Sequence, residues 1–260
     1  MPAIIKTFDE LIDDTDSAVK LAQYAQIVGL SEDGFFGLNN PATADESCHP
    51  IWTLRERVMV ARYLKEAQEE IEQALGLPLK FRDPLAGASL RKAEDAEEAA
   101  EAVRSEWNLG EDPVPNVMEA LEGNGIKVFE VDALEHLDGF SGWADGHPII
   151  VLAAWLNRDL PRKRFTALRE ASHLLIHAHS KLQGKELESC CHRFAGAMLI
   201  PREVFIRELG GFRHRISLEE LVSLKIRYGM SIAAIMHRAL DLGQIDSSTY
   251  KRFVISYKKN

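Results

Sequence analysis

Residues 162–180 read RKRFTALREASHLLIHAHS, and this stretch is the most informative part of the chain. With 3.6 residues per turn, an α-helix places some of its polar side chains on adjoining positions of one face. These side chains are Thr166, Arg169, Glu170, His173 and His177. Most other positions are apolar, so the stretch predicts a largely buried helix that carries one polar stripe.

The spacing within this stripe is close to that of a catalytic zinc helix. Such a helix needs two imidazoles one turn apart, with a glutamate directly after the first, so that a metal-bound water meets a general base. The corresponding residues here are Arg169, Glu170 and His173. Because a guanidinium stays protonated and offers no lone pair to a cation, Arg169 cannot act as the first ligand.

Patterns on either side of this helix predict an α+β fold that is mostly helical. Residues 126–131 alternate as a strand, and residues 139–152 form a hairpin that turns at 144–146. We expect these strands to form a small antiparallel sheet against the helix that bears Glu170 and His173. A short helix follows Pro115, and longer ones are predicted over 90–107, 161–179, 186–199, 201–209, 217–228, 231–242 and 247–254.

The chain divides near residue 86, where helical periodicity stops and two prolines appear within residues 77–89. We predict a helical N-terminal domain over residues 1–86 and a second domain over residues 87–260. In the first domain, Thr53 to Leu75 is an amphipathic helix that ends at Gly76. Its apolar stripe comprises Leu54, Val58, Ala61, Leu64, Ala67 and Ile71, and its polar side carries Glu66, Glu69, Glu70 and Glu72.

Composition excludes several classes of protein. The 260 residues include 31 Lys and Arg and 40 Asp and Glu, so the net charge of −9 disfavours nucleic acid and anionic membranes as partners. No apolar run approaches the roughly 20 residues that span a bilayer. The three cysteines, Cys48, Cys190 and Cys191, form no disulfide framework, which favours a reducing cytoplasm.

Four segments in order resemble the ImmA/IrrE family of zinc-dependent endopeptidases. They are SEWNLGEDPVPNVMEALEGNGIKVFEV (105–131), DGFSGWADGHPIIVL (138–152), RKRFTALREASHLLIH (162–177) and ELESCCHRFAGAMLIP (186–201). The resemblance extends over about residues 90–256. It implies a zincin-like domain with a C-terminal helical subdomain, a zinc cofactor, and cleavage of a transcriptional repressor or antitoxin.

The resemblance also assigns roles to individual residues. His173 matches the second histidine ligand, Glu170 the general base and Glu188 the third metal ligand, with Glu186 and Cys190 weaker candidates for the third position. Arg169 stands where the family usually has its first histidine ligand.

Three outcomes are open for this site. Arg169 pairs with Glu188 and replaces the metal by a fixed positive charge, which leaves a pseudo-enzyme without zinc. Alternatively, His173 and His177 hold a shifted metal together with Glu188 or Cys190. The third outcome is a working peptidase, in which zinc polarises the scissile carbonyl and Glu170 takes a proton from the attacking water.

Two further segments suggest non-enzymatic roles. Residues 217–242 resemble two helices joined at Gly229, but Lys225 stands where a helix-turn-helix needs a small residue, so we expect a structural subdomain rather than a DNA reader. The N-terminal part is faintly similar to helical head-to-tail adaptor proteins of tailed phages. That similarity implies an interaction module and a phage or prophage context.

We therefore expect an ImmA/IrrE-like endopeptidase that acts on a repressor or antitoxin and whose RExxH motif, residues 169–173, impairs catalysis. The alternative is a non-catalytic module that recognises a repressor, antitoxin or virion protein without cleaving it. Its partner would be a protein or peptide, and the sequence is also compatible with a homodimer.

Overall fold

The structure is a computed structural model that describes residues 80–131, 138–144, 146–179 and 182–257. These residues form strands β1 (Lys127–Val131), β2 (Gly139–Ala144) and β3 (His147–Ala153). The helices are α1 (Asp95–Glu106), α2 (Val117–Gly123), α3 (Leu160–Leu175), α4 (Gly184–Leu199), α5 (Arg202–Leu209), α6 (Leu218–Tyr228), α7 (Ile232–Asp241) and α8 (Ser247–Tyr257). A 3-10 helix, Ala154–Arg158, joins β3 to α3.

The predicted fold class, α+β and mostly helical, is confirmed for these residues. The N-terminal helical domain predicted over residues 1–86 lies almost entirely outside the described residues, as does Cys48. Among the described helices, none is long and apolar enough to cross a membrane.

The sheet is mixed rather than antiparallel throughout. Its strand order is β1-β3-β2, in which β2 pairs antiparallel with β3 as the predicted hairpin requires. Strand β1 instead pairs parallel with β3, with Lys127 opposite Ile149. A period of two residues is common to both kinds of ladder, so the alternation in residues 126–131 could not distinguish them.

Helix α3 lies between the sheet and α4, where it forms the centre of the domain. Asp159 caps its first turn by accepting a hydrogen bond from the backbone N–H of Arg162 at 3.2 Å, and Pro161 occupies a position where no helical donor is lost. Its buried face includes Ala167, Ala171 and Leu175. Glu188 and Cys191 of α4 contact Arg169 and His173, so part of the polar stripe of α3 lies at its contact with α4.

The C-terminal helices are tied to the start of the domain by a buried ion pair. Both guanidinium nitrogens Nη1 and Nη2 of Arg238, on α7, donate to the two carboxylate oxygens of Glu97, on α1, at 3.0 Å each. The two residues are only 2% and 1% exposed. Residues 217–242 thus pack on the core of the domain.

The segment that precedes α1 also packs on the domain. Leu85 is buried in the main core, and the Phe81 ring contacts the edge of the Trp143 ring on β2, with 5.4 Å between centroids. Gly125 has a φ of +82°, and a Cβ atom at this position would lie 2.6 Å from the backbone nitrogen of Phe81. Glycine at 125 therefore permits both the turn into β1 and the close approach of this segment.

Gly229, at the end of α6, is expected to be intolerant of substitution. Its φ is +63°, and a Cβ there would lie 2.6 Å from Nε of Arg164, whose guanidinium donates to the carbonyl oxygens of Val114 and Pro115. We expect Gly229→Ala to lower the free energy of unfolding by about 1–2 kcal/mol because of left-handed backbone strain. Displacement of the Arg164 guanidinium should lower it by about 1–3 kcal/mol more, measured by urea unfolding.

Gly243→Ala is the matched control for this prediction. Gly243 has a φ of +64°, but no heavy atom lies within 4 Å of its would-be Cβ. The control should therefore show the strain term alone. Equal losses in the two variants would mean that the Arg164 contact adds nothing to stability.

Candidate functional site

Arg169 lies at the centre of the polar stripe and bridges two carboxylates. Its Nη1 donates to Oε1 of the neighbouring Glu170 at 2.7 Å. Its Nη2 donates to Oε2 of Glu188, on α4, at 2.6 Å, and its Nε donates to the same oxygen at 3.2 Å. One guanidinium thus binds both of the carboxylates that the sequence analysis assigned to a general base and a metal ligand.

Glu170 has both carboxylate oxygens engaged. Oε1 accepts the bond from Arg169, and Oε2 accepts a hydrogen bond at 2.9 Å from the hydroxyl of Ser141, on β2. Glu170 is 5% exposed and Ser141 is 6% exposed. A buried carboxylate needs such partners because burial removes its solvation by water. The bond from Ser141 also links strand β2 to α3.

Arg169, Glu170, Glu188 and Ser141 form a polar network, and His173 adds two contacts with side chains of α4 to it. Its Nε2 lies 3.4 Å from Oε1 of Glu188, and its Nδ1 lies 3.6 Å from Sγ of Cys191. The imidazole is partly exposed, as is the Glu188 carboxylate. A continuous series of polar contacts therefore runs from α4 across α3 to the sheet.

The charges of the network stabilise one another. Burial acts to raise the pKa of Glu188, but the charges of His173 and Arg169 and the hydrogen bond from Arg169 outweigh burial and hold that pKa below its ordinary value of 4.5. Burial acts to lower the pKa of Arg169, and the charges of Glu170 and Glu188 outweigh it and raise that pKa. The site therefore holds a permanent guanidinium cation beside ionised Glu188 at neutral pH.

Cys191, His173 and Glu188 follow the order of a nucleophile, a base and an orienting acid. Burial nevertheless raises the pKa of the Cys191 thiol to about 12, and the side chain is 0% exposed. Because the thiolate is the nucleophilic form, this arrangement does not provide cysteine catalysis.

Two of the substitute metal ligands do not lie at the site. The helix predicted over residues 161–179 ends at Leu175, because Ile176 turns to an extended conformation and Ala178 forms a bridge with Leu90. His177 is consequently off the helix, and its Nε2 lies 2.7 Å from Oδ2 of Asp83. The prediction that His173 and His177 lie one turn apart on the same helix is therefore wrong.

Cys190 also lies away from this network. Residue 190 is two positions after Glu188 on α4 and so faces another side of that helix. Burial raises the pKa of Cys190 to about 12. Glu186, the weaker candidate for the third ligand, is exposed near the start of α4.

Ser141 and the contact of Cys191 with His173 were not predicted from the sequence. A signal for Cys191 was available, because residue 191 follows Glu188 by three positions and so shares its helical face, whereas residue 190 does not. Ser141 had no comparable signal, since its bond to Glu170 joins a strand to a helix 29 residues later.

The side chains at this site do not fit a zinc ion. Within the described ranges, no group of three or more His, Cys, Asp and Glu side chains is arranged to hold a metal. The chemistry of the donors explains this, because the guanidinium of Arg169 already satisfies Glu170 and Glu188 and has no lone pair to offer. A divalent cation at this point would face a fixed positive charge.

Comparison with known proteins gives one family match. Residues 121–240 match the family model described as the IrrE N-terminal-like domain, peptidase M78. The matched region runs from α2 to α7 and includes Arg169, Glu170, His173 and Glu188. No curated protein matches the chain significantly.

Arg169→Met tests how much the guanidinium contributes to folding. The variant leaves the buried carboxylate of Glu170 without its cation. We therefore expect the free energy of unfolding at pH 7 to fall by about 1–3 kcal/mol, measured by urea unfolding. The figure is below that of a fully buried pair because the Arg169 side chain is 31% exposed. Adding Glu170→Gln, which removes the unpaired charge, should recover part of the loss.

Arg162→Met is the control on the same helix. Arg162 pairs with Asp138 at 2.8 Å, but the two side chains are 51% and 34% exposed. Arg162→Met should therefore lower the free energy of unfolding by less than about 1 kcal/mol. A comparable loss from Arg162→Met and Arg169→Met would contradict the central role of Arg169.

Proposed function

Because residues 121–240 form an IrrE N-terminal-like domain of the peptidase M78 family, we propose that this chain is a metal-free member that recognises a protein segment without cleaving it. The observation that carries the proposal is the bridge from Arg169 to Glu170 and Glu188. This function corresponds to the non-catalytic alternative in the sequence analysis. The matching family model is that of a peptidase, and the proposed function differs from it in lacking cleavage.

Arg169 acts as a built-in cation at the polar stripe. In a zinc site, the metal's positive charge attracts the carboxylate ligands and holds them in place. Arg169 supplies a positive charge to Glu188, which matches the third metal ligand, and also to Glu170, which matches the general base, through the N–H groups of its planar guanidinium. The protein therefore keeps α3 and α4 in register without a metal.

Glu170 is poorly placed for general base catalysis in this arrangement. A general base needs a free lone pair directed at the water that it deprotonates. The two oxygens of Glu170 instead accept from Arg169 and Ser141. The residues that remain therefore provide no activated water, and hydrolysis is not expected.

The edge of the sheet offers a place for a peptide. Strand β2 is an edge strand of the described sheet. The backbone N–H of Ala153 donates to the carbonyl oxygen of Asp138, and the antiparallel ladder alternates from there, so even-numbered residues of β2 bond to β3. The backbone groups of Gly139, Ser141 and Trp143 therefore point to the free edge. An extended segment can add there as a further strand.

The partner class comes from the family resemblance, which implies a transcriptional repressor or antitoxin. In this proposal, such a protein presents an extended segment to β2 beside the Arg169 network. Binding would then regulate the partner by occupancy, since the site leaves the peptide bond intact.

The metal content of purified protein tests the proposal directly. After dialysis against zinc-containing buffer and then metal-free buffer, the wild-type chain should carry close to zero zinc by elemental mass spectrometry. Arg169→His restores two imidazoles one turn apart beside Glu188, so it should retain close to one zinc per chain. Near-stoichiometric zinc in the wild-type chain would contradict the proposal.

Two variants serve as controls for the metal measurement. Arg169→Lys keeps a positive charge and should bind no zinc. Arg169→His combined with His173→Ala removes one of the two imidazoles and should return the zinc content to near zero. If Arg169→His alone takes up no metal, the correspondence of His173 and Glu188 with family ligands is wrong.

Hydrogen exchange tests the mode of binding. A repressor or antitoxin that binds this chain is expected to slow exchange at the amides of Gly139, Ser141 and Trp143, because they gain hydrogen-bond partners. The amides of Phe140 and Gly142 already bond within the sheet and should change much less. Protection confined to other elements would exclude strand addition at β2.

A further inference from the structure

Helix α6 carries apolar side chains on two separate faces. Its inner face packs on the core of the domain through three buried side chains. These are Leu221, Leu224 and Tyr228. A second set faces outward, because Leu218, Val222 and Ile226 are 64%, 37% and 78% exposed. A surface helix that packs on one side needs only one apolar stripe, so the outer set requires a separate explanation.

The three exposed residues form one row along the helix, which we call the apolar row. They are spaced by four residues, and side chains at that spacing lie one above the next on a helix surface. Single exposed apolar residues are common on proteins, whereas a contiguous group of them marks an interaction site. Helices most often pack by fitting rows of this spacing into each other, at a crossing angle of about −50°. The apolar row therefore has the form of a helix-packing surface.

A polar row runs beside the apolar row and has opposite charges at its two ends. It consists of Glu219, Ser223 and Arg227, which border the same surface and are all exposed. Arg227 already donates from Nη1 to Oε1 of Glu208 at 2.7 Å, but a guanidinium has five N–H donors and can serve a second carboxylate. The polar row thus changes from negative to positive along the helix.

We propose that α6 packs antiparallel against α6 of a second copy of this chain, so that each apolar row covers the other. A twofold axis beside Val222 places Leu218 against the partner's Ile226. Because this axis lies across the helices, it keeps the two polar rows on the same side, and Glu219 comes to lie close to the partner's Arg227.

A second copy fits this surface because both rows are complementary to themselves when one helix is reversed. The two ends of the apolar row, Leu218 and Ile226, are of similar size, and the two ends of the polar row have opposite charges. In a parallel pair, groups of like charge would lie at the same height, and this complementarity would be lost.

The size of the contact predicts a weak dimer. Helix α6 has 11 residues, and one helix crossing buries less surface than a standard interface of about 1,600 Å². We therefore expect a dissociation constant of about 100 μM. The association is independent of metal or peptide binding at the Arg169 site, since both rows lie on α6 and that site is formed by α3, α4 and β2.

Sedimentation equilibrium of the full chain tests the dimer. The average mass should rise from 29.2 kDa toward twice that value as the protein concentration passes through about 100 μM. Ile226→Glu places a charge in the apolar row and should weaken association by about tenfold or more, and Leu218→Glu should do the same at the other end of the row. Ile255→Glu is the matched control, because Ile255 is 59% exposed on α8, and it should leave the dissociation constant unchanged.

Two results would overturn the proposal. A mass of 29.2 kDa at every concentration would leave the apolar row to a different protein or to another part of this chain. A dimer that persists in both Ile226→Glu and Leu218→Glu would place the contact elsewhere. Both side chains are more than half exposed, so each variant should keep the circular dichroism spectrum of the wild-type chain.

A pair of charge reversals tests the antiparallel orientation. Glu219→Arg brings arginines opposite each other in the dimer, and Arg227→Glu brings glutamates opposite each other, so each variant alone should associate about fivefold or more weakly. In a mixture of the two variants, each of these contacts pairs an arginine with a glutamate, and association should return close to the wild-type strength. A mixture that associates no more strongly than either variant alone would overturn the antiparallel pairing.

Discussion

The centre of this domain depends on the ion pairs that the guanidinium of Arg169 forms with Glu170 of α3 and Glu188 of α4. Because Glu170 also accepts a hydrogen bond from Ser141, these contacts extend to the sheet. Without a cation, the carboxylates of Glu170 and Glu188 would repel each other in a site with reduced access to water. A single arginine thus makes the meeting of three secondary-structure elements electrostatically favourable.

Local patterns predicted most of the helices well. The helix predicted over residues 186–199 is observed as Gly184–Leu199, and the helix predicted over 217–228 is observed as Leu218–Tyr228, where Ser217 and Glu220 form a capping box. Caps and helical periodicity are encoded within a few residues, so a single sequence contains them. The inability of Arg169 to bind a metal was also readable, because the chemistry of a guanidinium does not depend on the fold.

Features that depend on distant contacts could not be predicted in the same way. The end of α3 at Leu175 is followed by a bridge to Leu90, and His177 is held by Asp83, 94 residues earlier. The helical pattern of apolar and polar residues continues past Leu175, so the sequence did not indicate that α3 ends there. The parallel pairing of β1 with β3 is non-local for the same reason, since its residues alternate as they would in either kind of ladder.

The buried pair of Arg238 and Glu97 has a consequence for the domain as a folding unit. The family match contains Arg238 but begins 24 residues after Glu97. A fragment cut at the limits of that match would bury a guanidinium without its carboxylate, at a cost of about 3–5 kcal/mol. The ion pair therefore couples the stability of α1 to that of α7, and a fragment that keeps the pair must extend beyond the region that matches the family model.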